Sequence, residues 1–451
     1  MSVPKYPAYK DPLVPWLGHV PAHWDVLRLK YACEAFPSNV DKHARDDESP
    51  VRLCNYTDVY YNERITSQMQ FMEATASDEQ IARFTLKAGD TIITKDSETA
   101  DDIAIAAYVP DDLPGVVCGY HLSMVRPRAS TCGAYVKRLF DSFYAKARFA
   151  VAANGLTRVG LGQYALDNVE LPFPPPEEQR AIAIFLDRET AKIDTLVEEQ
   201  RRLIELLKEK RQAVISQAVT KGLNPNVLMK DSRAGWIGEV PQHWRVSALG
   251  YVARIDSGST PDRANPNYWG GSIPWVKTGE VNYDPITQAE ECITEAGLQG
   301  SSAKVALPGT LLMAMYGQGV TRGRVAILEV PSAYNQACAA IHFDTAVAPS
   351  FGRYFFMAAY AHVRDGGNET SQMNLSTGAI QKFKITVPPP PEQLAIVDFL
   401  DRSIQEIELL IEHADESLLL LSERRSALIS AAVTGKIDVR GLVPQPEAIA
   451  A

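Results

Sequence analysis

Pro175-Pro176-Glu177-Glu178-Gln179-Arg180-Ala181-Ile182 returns, 214 positions further on, as Pro389-Pro390-Pro391-Glu392-Gln393-Leu394-Ala395-Ile396. The offset then holds without a gap. Phe185-Leu186-Asp187-Arg188 becomes Phe399-Leu400-Asp401-Arg402, and the run Lys210 to Thr220 becomes Arg424 to Thr434. Loops tolerate insertions, so a length kept this strictly over some 45 residues points to a continuous rod. Prolines suit the start of a helix and not its interior. Each segment is therefore predicted to be one long helix of roughly 65 Å. Ile182, Leu186, Ile193, Leu196, Leu203, Leu207 and Val214 recur by threes and fours along the first helix. Ile396, Leu400, Ile407, Leu410, Leu421 and Leu428 do so along the second. Glu189, Gln200 and Lys210 interrupt the first stripe, which makes it an imperfect coiled-coil seam.

Outward from the helices, a second repeat opens each half. Trp16-Leu17-Gly18-His19-Val20-Pro21-Ala22-His23-Trp24 recurs as Trp236-Ile237-Gly238-Glu239-Val240-Pro241-Gln242-His243-Trp244. Trp16, His23, Trp24, Trp236, His243 and Trp244 read as aromatic anchors seating a globule on a helix end. Neither His has a partner at metal-ligand spacing, so no metal site is expected. Between the markers, residues 25–171 and 245–387 carry short apolar runs such as Thr91–Thr94, Thr310–Met315 and Arg324–Val330, broken by Gly, Pro, Asn and Asp. That is the pattern of mixed, β-rich domains with long loops. The expected class is α+β, with globules at 1–171 and 223–387, long helices at 172–222 and 388–440, and a tail at 441–451.

Charge gives little encouragement to nucleic-acid binding. The net formal charge is −10, whereas phosphate contact usually leaves a basic footprint. Residues 221–391 hold 14 Lys/Arg against 13 Asp/Glu, or +1. Residues 392–440 hold 5 against 10, and residues 1–171 hold 18 against 22. If the chain binds DNA, partners must supply much of the neutralisation. Six scattered cysteines without C-x-x-C spacing suggest reduced thiols and a cytosolic setting. No stretch approaches the roughly 20 apolar residues of a membrane span, and none carries a phosphate-loop or zincin motif.

The two openings, the paired helix starts and the globule–helix–globule–helix order resemble the specificity subunits of type I restriction–modification systems, over essentially the whole chain. Ser257-Gly258-Ser259-Thr260-Pro261, Tyr268 to Trp275, Asn335-Gln336 and Gln372 to Leu375 look like motifs of that family's target-recognition domains, as do Asn55 to Tyr60 and Gly89 to Asp96. The resemblance implies that each globule reads one half of a bipartite, asymmetric DNA site. The two helices would pair as an antiparallel coiled coil that sets the gap. It implies a non-catalytic chain without a cofactor of its own. Two methyltransferase subunits would bring S-adenosylmethionine, and motor–nuclease subunits would bring ATP and Mg.

Base reading calls for Arg or Lys on guanine and Asn or Gln on adenine. In the first globule the candidates are Lys95, Ser97 and Thr99 after a strand, with Tyr56, Asp58 and Arg158. In the second they are Ser259, Thr260, Lys277 and Thr278, the Gly-rich run with Tyr316, Gln318, Thr321 and Arg322, and Gln372 with Asn374. A pure interaction scaffold is the first rival, favoured by the acidity. A fused or stand-alone modification enzyme is the second; Asn265-Pro266-Asn267-Tyr268 echoes the Asn/Asp-Pro-Pro-Tyr motif of methyltransferases that act on amino groups, but no cofactor loop accompanies it.

Overall fold

The computed structural model describes residues 4–316, 320–365 and 375–442. The chain forms two compact units, Met1–Gln200 with Glu416–Ala451, and Arg201–Asp415. Each long helix is thus shared, its first half with one unit and its second half with the other.

The first unit holds a four-stranded antiparallel sheet in the order Cys33–Pro37, Leu122–Pro127, Thr91–Thr94, Ala106–Tyr108. All four residues of Thr91–Thr94 are buried, as expected of a central strand covered on both faces. Beside it, Ser49–Cys54 pairs in parallel with Val116–Cys118 and antiparallel with Met72–Ala76. The second unit repeats the frame. Its antiparallel sheet runs Ala253–Ser257, Cys338–Phe343, Leu311–Ala314, Val325–Ile327. There Trp269–Val276 pairs in parallel with Ser332–Tyr334. Globules with little common sequence therefore share one strand order.

In each unit a strand leads into the long helix. Glu170–Phe173 pairs with Asp25–Arg28, and Lys384–Val387 with Arg245–Ala248. The helices consequently begin later than the expected 172 and 388, at Pro176–Lys221 and Pro390–Val433. Gly222 (φ +74°) and Gly435 (φ +73°) stop them in the left-handed conformation that glycine tolerates. The second helix therefore does not reach 440; Asp438 turns back and its amide donates to the Pro4 carbonyl at 2.8 Å.

The core of the first unit contains Ile182 and Leu186 from the start of one long helix, and Ile429, Ala432 and Val433 from the end of the other. In the second unit the matching set is Ile396 and Leu400 with Ile215, Ala218 and Val219. Each globule therefore wraps the beginning of its own helix and the end of the other.

Between these ends, covered positions alternate by fours and threes. They are Ile193, Val197, Gln200, Ile204, Leu207, Arg211 and Val214 on the first helix, and Ile404, Ile407, Ile411, Ala414, Leu418, Leu421 and Arg425 on the second. Leu196, Leu203 and Leu410, expected on the seam, are exposed at 43%, 42% and 52%. Val197, Ile204 and Ile411, each one residue further on, are covered instead. Gln200, expected as a polar interruption of the stripe, is half-buried, and so is Arg211, whereas Lys210, also expected there, is exposed. Within the first unit Arg425 Nε lies 2.9 Å from Asp194, and within the second Arg211 lies 3.4 Å from Glu408.

Candidate nucleic-acid interface

Both openings converge on one glutamate at a helix start. In the first unit Trp24 Nε1 donates to Glu178 Oε1 at 3.0 Å, His23 Nε2 lies 2.8 Å from Oε2, and the Tyr6 hydroxyl donates to Oε1. Burial, and then the bond to Glu178, raise the Tyr6 phenol well above its ordinary value. In the second, Trp244 Nε1 donates to Glu392 Oε2 at 2.8 Å and His243 lies 2.7 Å from Oε1. Trp24 and Trp244 are fully buried. A Cβ on Gly435 would come 3.3 Å from Trp24, and one on Gly222 would come 3.1 Å from Trp244. Each indole thus lies between the start of one helix and the end of the other. Trp16 is different: it is 66% exposed, with Arg148 5.7 Å from its ring. Trp236 stacks on His362 at 5.1 Å and meets Phe355 and Phe383.

The neighbouring glutamine acts as a second peg. Gln179 accepts from the Cys132 amide at 2.8 Å and donates to the Pro174 carbonyl; Gln393 accepts from the Ala348 amide at 2.8 Å and donates to Ala346 and Pro388. Sequence reading saw Glu178, Gln179, Glu392 and Gln393 as repeated letters and missed these roles. Their recurrence three residues before a fixed apolar position was the available signal.

A charge network also escaped it. Lys137 and Arg138 are buried, and both reach Glu63, at 3.3 and 3.1 Å. Arg138 also holds Asp187 at 2.8 Å, and Arg425 pairs with Glu63. Burial works to raise the Glu63 carboxyl, but Lys137, Arg138 and Arg425 outweigh it and hold it at about 2.

On the first globule, Val159–Gly160 pairs antiparallel with Asp96–Ser97. That pairing brings Arg158 to Asp96 at 2.7 Å, while His121 Nδ1 approaches the other carboxylate oxygen at 2.8 Å. Lys95 Nζ donates to the Ser38 carbonyl and lies 4.3 Å from the Tyr120 ring centre; burial lowers its pKa. Tyr56 is half-buried beside Ser97 and stacks on Tyr60 at 5.5 Å. Burial raises the Tyr56 phenol, against a Ser97 hydrogen bond that lowers it. Lys95, Tyr56 and Arg158 therefore share one polar surface, with Asp96, Tyr120 and His121 added, while Ser97, expected to face DNA, is buried at 3% beneath it. Thr99 is exposed at its edge. Asp58 is otherwise engaged, accepting from the Asn55 amide at 2.7 Å to cap a short helix.

On the second globule, Arg263 sits 3.8 Å from the Trp269 ring centre and pairs with Glu291. Lys277 Nζ is held by Glu290 at 2.7 Å and Glu291 at 3.1 Å, and the Glu290 bond raises its pKa. Trp275 Nε1 donates to the Ser259 carbonyl at 3.0 Å, and Thr260 bonds Gln336. Ser259, Thr260 and Lys277 thus gather around this aromatic–arginine cluster, with Thr278 opening the adjoining turn. Tyr316 and Thr321 are partly exposed, but Arg322 is turned inward, 8% exposed, with its guanidinium on the Arg364 carbonyl. Gln318, Gln372 and Asn374 lie outside the described residues.

Among the described residues no group of His, Cys, Asp or Glu could hold a metal ion, and no helix is long and apolar enough to cross a membrane. All six cysteines are free thiols.

Residues 22–206 and 241–416, one stretch in each half, match the family model described as "Type I restriction modification DNA specificity domain". The chain belongs to the type I restriction–modification specificity family. Specificity subunits are the non-catalytic recognition components of these systems, so this chain is no enzyme by itself. The putative type I restriction enzyme MjaX specificity subunit of Methanocaldococcus jannaschii is 22% identical over 432 residues, 94% of this chain and 96% of its own. The EcoKI specificity subunit of Escherichia coli is 19% identical, over 74% of this chain and 71% of its own. Two solved structures share the fold. A chain from "Structural basis underlying complex assembly and conformational transition of the type I R-M system" superposes with TM-score 0.72 at 16% identity, covering 92% of this chain and 98% of that one. The HsdS subunit from Thermoanaerobacter tengcongensis gives 0.57 at 18%, covering 93% and 98%. In this specificity subunit the two family stretches coincide with the two globules and the first part of the helix after each.

Proposed function

We propose that each globule reads one half of a bipartite, asymmetric DNA site, and that the long helices set the gap as an antiparallel coiled coil. The observation that carries the pairing is a register. Asp194 lies 2.9 Å from Arg425 and Arg211 lies 3.4 Å from Glu408, so the partner numbers fall on one helix as they rise on the other and each pair sums to 619. Parallel helices would keep a constant difference; a constant sum is the mark of antiparallel ones.

Two methyltransferase subunits dock on the rod, and the exposed Leu196, Leu203, Leu206, Leu409, Leu410 and Leu420 supply apolar surface for it. They carry the S-adenosylmethionine, motor–nuclease subunits carry ATP and Mg, and the whole works in the cytoplasm. The reading surfaces are the Lys95–Asp96–Arg158 cluster on one globule and the Arg263–Trp269–Lys277 cluster on the other, where guanidinium and carboxylate groups suit guanine and cytosine edges. Mapping methylated adenines in cells carrying the complete system tests the proposal. The expected result is one split, asymmetric motif; a continuous or palindromic motif would overturn it.

A further inference from the structure

The two units also differ in how one equivalent arginine on the long helices is held. In the first, Arg425 is held by Asp194 and also by Glu63. In the second, Arg211 stands 214 positions earlier and has Glu408 at 3.4 Å, the counterpart of Asp194. Among the described residues it has no counterpart of Glu63, and a cavity of about 480 Å³ opens beside it. Arg324 and Arg364 also line this cavity, so three arginines and two acids, Glu408 and Asp284, are among its lining residues. Arg324 Nε is buried and has no hydrogen-bond partner among the described residues. The Arg324 guanidinium lies 5.7 Å from the Tyr283 ring centre, and Arg364 reaches the Tyr360 hydroxyl at 3.4 Å. Tyr283 has φ +81°, a conformation that a bulky residue adopts only where its surroundings impose it. Burial pushes its phenol up to about 12 and Tyr360 adds to the rise, while Arg324 and Arg211 oppose it.

We propose that this cavity is a clamp for a backbone phosphate of DNA, formed by Arg324 and Arg364 with Arg211 at its rear. The proposal rests on the reading of the second globule as a DNA-recognition domain. Arg324 belongs to the Gly-rich run from Tyr316, and Arg364 stands shortly before the segment carrying Gln372 and Asn374. A phosphate held by Arg324 and Arg364 fixes the register of the second globule on the duplex without carrying sequence information. In a chain at −10, arginines with a surplus over nearby acids are the ones left for phosphate.

The test uses the full complex with its methyltransferase subunits, with Arg324→Gln and Arg364→Gln made separately and together. Affinity is measured from 50 to 200 mM salt for a duplex carrying the mapped site and for an unrelated duplex. Each substitution should reduce the slope of log affinity against log salt by about 1 on both duplexes, with an unchanged methylation motif. Tyr283→Phe keeps the cavity lined and should leave the slope alone. An unchanged slope in both arginine variants would overturn the clamp. So would a changed motif, which would make these residues base readers. Loss of methyltransferase association at constant slope would assign the cavity to a carboxylate of the partner and equally overturn the proposal. The unrelated duplex reads the clamp even if the wild-type complex shows no sequence preference, so the two readings fail separately.

Discussion

Glu178 and Glu392 hold equivalent places and should differ sharply in what their loss costs. Glu178 is 6% exposed and serves three partners, Tyr6, His23 and Trp24. In Glu178→Ala the Trp24 N–H and the Tyr6 hydroxyl lose their acceptor inside the core. Hydrogen bonds to a charged group contribute roughly 1.5–3 kcal/mol each, and a stranded buried donor costs about as much. The substitution should therefore destabilise the first unit by about 4 kcal/mol. Glu392 has two partners and a side chain 43% exposed. Water can replace it, so Glu392→Ala should cost about 1 kcal/mol. Calorimetric unfolding of the two variants beside wild type, with hydrogen exchange at Trp24 and Trp244 to show which unit opens, measures both. Equal losses, or a loss below about 1 kcal/mol in Glu178→Ala, would refute the view that burial and the third donor set the difference.

Glu63 offers a pH test. Its folded pKa, about 2, lies below its unfolded value, so its contribution is present above about pH 4.5 and fades as pH falls towards 2. Its side chain is 44% exposed, so Glu63→Gln should lose only about 1 kcal/mol at pH 7 and show a flatter acid limb in urea midpoints; an unchanged limb would dismiss the network. Four residues added within Glu198–Leu206, matched by four within Glu412–Leu420, should lengthen the rod by about 6 Å and widen the methylated gap by one or two base pairs. An unchanged gap in an active variant would end the ruler. Replacing residues 245–387 with another recognition domain should change one half-site only, read from the same methylation maps.

The tandem plan was legible because a packed rod and its sockets forbid insertions, so Glu178 and Glu392 kept their spacing while the globules drifted. What those glutamates do was not legible, since an acid in the first turn of a helix already has a reason to be there in the dipole. The covered stripe is not fixed by letters alone at Leu196, Leu203 and Leu410, because each has an apolar neighbour, Val197, Ile204 or Ile411, that fits the same spacing and is the one covered. Among the candidate readers, Arg158 meets Asp96 only through a two-residue strand pairing that no local pattern announces. Arg322 looks like a surface cation until Arg364 offers its carbonyl.

The hydrogen bond from Asp438 to Pro4 has a topological consequence. It sets Pro4 beside Asp438, so a short peptide linking these two positions would leave either helix undisturbed. In a chain linked there, globule and helix alternate without a break in sequence, and "first" and "second" name only the place where it is cut. Opening it instead in the turn after Gly222, near Asn224–Asn226, would give a polypeptide that begins with the other globule and builds the same object.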